Sequence, residues 1–73
     1  LSSAVINKNF NNQLEMNQNI GIKEGDIIII SNCQNIEYNK IFKINNINNT
    51  TNNNILITLE KPVNLKNNNI LFL

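Results

Sequence analysis

The sequence predicts an all-β domain, and three observations carry that prediction. Isoleucine dominates the apolar residues, while Trp is absent and Ala appears once. β-Branched side chains suit a pleated, half-buried surface and lose rotamer freedom in helices. Asn supplies 20 of the 73 residues, and its side chain competes with regular backbone pairing and tolerates left-handed turns. An AT-rich coding sequence, which favours Asn, Ile and Lys codons, would also produce this excess, and that lowers the weight of each Asn run. Apolar runs also recur at roughly ten-residue spacing without a long helical period, the pattern of a small sheet or barrel. The expected architecture is a small antiparallel meander sheet or partly closed barrel of about five strands.

The elements follow in order. Residues 1–6 alternate, with Leu1, Ser3 and Val5 opposite Ala4 and Ile6, so a short strand is expected. Residues 7–19 hold Phe10, Leu14 and Met16 at spacings that fit a loop, a ragged strand or one helical turn. The stretch Ile20-Gly21-Ile22-Lys23-Glu24-Gly25-Asp26 reads as a structural turn. Gly25 can take a positive φ where the chain reverses, and Asp26 can accept hydrogen bonds from nearby amides. Ile27 to Ile30 is too short for a buried helix and is expected to be a central strand covered on both faces. If the strand continues, Ile27, Ile29, Ser31 and Cys33 share one face.

Residues 36–47 alternate as a half-exposed antiparallel strand. Ile36, Tyr38, Phe42 and Ile44 line one face with Lys40 as the exception, while Glu37, Asn39, Ile41 and Lys43 line the other. Residues 45–54 read as a polar hairpin connection interrupted by Ile47. Ile55, Ile57 and Leu59 then share a face of the next strand, which Pro62 ends because it has no amide hydrogen to donate. Residues 64–69 form another loop and residues 70–73 a last strand. Neighbours linked by short loops are expected to pair in sequence as a meander.

At 73 residues the chain is one domain, near the size at which a single core is thermodynamically thin. Both ends are apolar, Leu1 and the run Ile70-Leu71-Phe72-Leu73, so residues 1–73 are expected to be one β-rich domain of a longer polypeptide. No stretch approaches the ~20 apolar residues that cross a bilayer, and no signal-peptide pattern is present.

Composition argues against chemistry. One Cys and no His cannot build the usual zinc sites, and a single Asp among scattered Glu makes a poor calcium cage. Cys33 and Ser31 lack a His to act as base, and two glycines cannot form a phosphate-cradling loop. The chain therefore reads as non-enzymatic, with no metal and no cofactor. Six basic against five acidic residues give a net charge of +1, too weak a field to select a charged partner. Tyr38, Lys40 and Phe42 with Lys43 would be the only stacking and basic constellation for nucleic acid; the simpler reading places Tyr38 and Phe42 in the core, and no nucleic-acid partner is expected. Cys33 reads either as a small buried hydrophobe or as a thiol whose partner lies elsewhere in the polypeptide.

The runs GDIIIISNC (25–33), KIFKINNI (40–47) and ILITLEKPVNL with NNNILFL (55–73) resemble the globular region of PilW-type minor pilins and pseudopilin-like proteins. In that family a Gly-Asp-like turn opens an apolar strand ending in Ser-Asp-Cys, followed by a strand with a central Phe and then an apolar strand. The matching positions are Gly25, Asp26, Ile27 to Ile30, Ser31, Cys33, Phe42, Ile44, Ile57 and Leu59. Asn32 stands where the family usually has Asp, and residues 34–40 form a longer insert. The resemblance implies a pilin-like β head lacking its N-terminal helix, with a structural role in type IV pilus assembly or a related secretion filament. It implies other pilin subunits as partners and membrane contact only through the helix absent from this chain. It also implies a position on the periplasmic face of the inner membrane or in an extracellular filament, with Cys33 as a disulfide candidate. The alternative is a small β-barrel binding module, for nucleic acid or a protein, within a larger protein.

Overall fold

The computed structural model describes residues 2–32, 35–63, 65 and 69–73. It is all-β: seven antiparallel strands form one curled, half-barrel sheet with no helix among the described residues. The strands are β1 (Ser3–Val5), β2 (Lys8–Phe10), β3 (Gln13–Met16), β4 (Ile27–Asn32), β5 (Asn35–Asn49), β6 (Ile55–Leu59) and β7 (Asn69–Phe72). Seven replace the expected five because residues 8–16, where the apolar pattern is weakest, form a hairpin. Asn11 at its tip takes φ 56°, a left-handed conformation that Asn tolerates better than most residues.

The expected meander is replaced by a curled, crossed order. The strands run β1-β7-β4-β5-β6-β3-β2 across the sheet. The chain's first strand therefore pairs with its last, and β3 pairs with β6 rather than with β4. The two outermost strands, β1 and β2, are consecutive in the chain and are joined by Ile6 and Asn7. That linker spans the open side of the half-barrel, and the Ile6 side chain is buried there. The Asn7 amide donates to the Glu15 carbonyl at 2.9 Å, beginning the β2–β3 ladder.

β5 makes the other corner. Residues before Ile44 pair with β4, and residues from Ile44 onward pair with β6. Between Ile44 and Asn46 the register shifts, so Asn45 is an extra residue that bends the strand and switches which parity faces inward. Phe42 and Ile44 point into the core before the bulge; Ile47 pairs with Ile57 and packs against the core after it. This corrects the expectation of a loop over 45–54: the strand continues to Asn49, and the connection is the turn from Thr50 to Asn54. Thr50 organises that turn, its hydroxyl oxygen accepting from the Asn52 and Asn54 amides at 3.3 and 3.1 Å. Asn53 in the same turn has φ 62°.

The core lies between the two halves of the curl. Leu14, Met16, Ile28, Ile30, Ile44, Ile57, Leu59 and Leu71 are essentially fully buried. Cross-strand partners build it directly: Leu14 opposite Ile57, Met16 opposite Ile55, Ile28 opposite Phe42, and Leu71 opposite both Ala4 and Ile30. Each fully buried Ile or Leu contributes about 1.5–3 kcal/mol relative to exposure. No buried side-chain polar atom lacks a hydrogen-bond partner among the described residues.

Candidate interaction surface

The Gly25–Asp26 turn aligns β4. Gly25 has φ 87° at the third position of a turn in which the Asp26 amide donates to the Lys23 carbonyl at 3.1 Å, the conformation a type II turn requires there. The Asp26 carboxylate accepts the Lys23 amide at 2.9 Å. The Gly25 amide donates to the Ile44 carbonyl, and the Ile44 amide to the Asp26 carbonyl. The turn thus attaches the start of β4 to β5 at the corner and sets the phase of the isoleucine run.

That phase corrects the expectation of a strand covered on both faces. Ile28 and Ile30 are fully buried, whereas Ile27 is 56% and Ile29 42% exposed. A half-barrel has one interior, so a strand in it can bury only alternate residues. The outward residues do not stand alone. One row across the sheet runs Ser3, Phe72, Ile29, Ile41, and the next runs Val5, Ile70, Ser31. Ile27 lies opposite Lys43 in a third row. Val5 and Ile41 are more than half exposed, and Ile70 and Phe72 are partly covered. The outer face of β1-β7-β4-β5 is therefore aliphatic on every strand, with Lys43 as its one charged side chain among the described residues. At about 4.8 Å between strands and about 6.7 Å between rows, these nine outward positions cover about 290 Å², and the six apolar ones about 190 Å². The six apolar residues form one connected patch, smaller than the ~300–600 Å² of the largest patch on a typical monomer.

The outer face of β6-β3-β2 and the second half of β5 is different in kind. Its rows are Lys8, Glu15, Leu56, Asn48 and Phe10, Gln13, Thr58, Asn46. Asn54 donates to the Glu15 carboxylate at 2.9 Å. A shallow groove of about 260 Å³ lies between Phe10, Leu56, Lys8 and Glu15, and Phe10 is 79% exposed. Lys8 faces Glu15 across the β2–β3 pair, so the groove carries one charge of each sign.

The structure places the sequence-derived candidates as follows. Cys33 lies outside the described residues, as does the Tyr38 side chain. Phe42 is 3% exposed and is covered on one side by the Lys61 ammonium, 5.3 Å from its ring centre, a cation–π distance. It offers no stacking surface to a nucleic-acid base. Among the described residues searched, no three His, Cys, Asp or Glu side chains cluster as a metal site, and no helix is long and apolar enough to cross a membrane. The sequence reading missed the aliphatic face, although its signal was present in the apolar residues at both parities of 27–30 and in Ile41 on an otherwise polar face. Comparison with protein-family models, with curated proteins and with solved structures finds no match to this chain.

Proposed function

We propose that this protein is a structural assembly module that works by surface contact, without bond-making chemistry. In this reading it is a β head of the PilW-like minor-pilin kind that its sequence resembles, contributing to a type IV pilus or related secretion filament from the periplasmic or extracellular side. Neighbouring subunits are its partners, and anchoring belongs to an N-terminal helix outside this chain. One observation supports the reading above the others: one outer face carries apolar side chains on all four of its strands, while the opposite face is polar apart from Phe10 and Leu56. A sheet solvated on both outer faces would carry polar residues on each. An aliphatic, nearly uncharged face costs solubility unless something covers it.

The test uses the full polypeptide carrying this chain in the cells that make it. Replacing Ile29 with aspartate should deplete the protein from the filament or envelope fraction while its total amount and fold persist. Wild-type accumulation of the variant in that fraction, or recovery of the parent polypeptide only from the cytosol, overturns the proposal.

A further inference from the structure

We propose that the outer face of β1-β7-β4-β5 is the interface of a symmetric dimer, in which a second copy of the chain packs sheet on sheet. The inference rests on the assembly reading and names the partner. Width decides between occupants. The aliphatic face spans four strands, about 14 Å between its outermost strand axes and about 20 Å with side chains. A helix with its side chains is only ~10–12 Å across. It would leave bare either Val5 on β1 or Ile41 on β5, which are 53% and 61% exposed at opposite sides of the face. A second sheet of the same width covers all four strands at once. Two sheets of equal twist pack about 10 Å apart with strands within about 30° of each other.

Charge points the same way. A two-fold interface must be self-complementary, and like charges brought together at its centre would oppose it. Among the outward side chains described, only Lys43 is charged, and it sits at a corner of the face opposite Ile27. With the two-fold axis along the strands, β5 lies over the partner's β1, and Lys43 faces the Ser3 end of that strand rather than another lysine. The remaining described side chains on the face are Val, Ile and Phe with Ser3 and Ser31. The footprint, about 290 Å² with the serines and Lys43 included, is little more than a third of the ~800 Å² that a standard interface takes from each partner. The dimer is accordingly weak and transient.

Sedimentation equilibrium of the purified chain from about 10 µM to about 1 mM tests this directly. The weight-average mass should rise toward twice the monomer mass, and amide shifts that change on dilution should map to β1, β7, β4 and the Ile41 region of β5. Ile29→Lys and Ile41→Lys should each weaken association at least tenfold, while Asn48→Lys on the polar face should leave it unchanged. Circular dichroism keeps loss of association separate from loss of fold. A wild-type chain that stays monomeric to about 1 mM overturns the dimer. So does a dimer that both lysine variants form as readily as wild type. Addition of a 20-residue apolar helical peptide then separates the two levels. A monomer whose aliphatic face responds to that peptide sinks self-association and keeps the assembly reading, whereas a monomer whose face responds to nothing sinks both.

Discussion

Ile28 and Ile29 differ in nothing but the direction the backbone gives them, and their alanine variants should differ in stability. Ile28 is fully buried against Phe42, so Ile28→Ala removes packed methylenes and leaves a cavity. A loss of about 2–5 kcal/mol is expected. Ile29 faces outward, more than half covered between Phe72 and Ile41, and Ile29→Ala at low protein concentration should cost about 1 kcal/mol. Urea denaturation of the two variants checks this; equal losses would place both side chains in the core. Gly25 supplies a second residue-scale test. An added Cβ there would meet no atom within 4 Å, so the cost of Gly25→Ala is backbone strain alone at φ 87°. About 1–2 kcal/mol is expected, readable as a lower thermal midpoint with the native spectrum kept.

At the scale of elements, the bulge in β5 does the most. Under strict alternation Ile44 and Ile47, three residues apart, would fall on opposite faces. Bulging at Asn45 takes that residue out of the count, so one strand turns the corner and buries both. Deleting Asn45 leaves Ile44 and Ile47 two residues apart and both inward, so its cost is the lost bend alone, about 1 kcal/mol. Urea denaturation of the deletion variant measures it, and a loss below that of an ordinary surface change would mean the bulge is incidental. The bulge also explains why the run 45–54 looks like a loop in sequence. Strict alternation from Phe42 and Ile44 puts Ile47 outside, among asparagines, and nothing local marks Asn45 as the residue that resets the count. The hairpin over 8–16 was illegible for a different reason. Its β2 strand has no buried residue, so no periodicity is imposed on it, and its turn is set by Asn11, one Asn among many.

For the whole molecule, β7 is the joint. It lies between β1 and β4, joins the two ends of the sequence, and places Leu71 in the core with no exposure. Removing residues 69–73 would strand β1 and open the core beside Ile30 and Ala4. The truncated chain should lose its dispersed amide spectrum and its cooperative urea transition; retention of both would show that the rest folds without this strand. Pairing of first with last strand cannot be read from neighbouring residues, because it depends on which distant edges remain unpaired after the local hairpins form. What the sequence by itself determined is the all-β class, the positions of the main apolar strands, and the face shared by Ile55, Ile57 and Leu59. Those follow from alternation and turn chemistry, which act within a few residues. Only the tertiary structure decided which isoleucines of the run 27–30 are core and which are surface. Four identical side chains carry no phase of their own, and the single interior of a curled sheet supplies it.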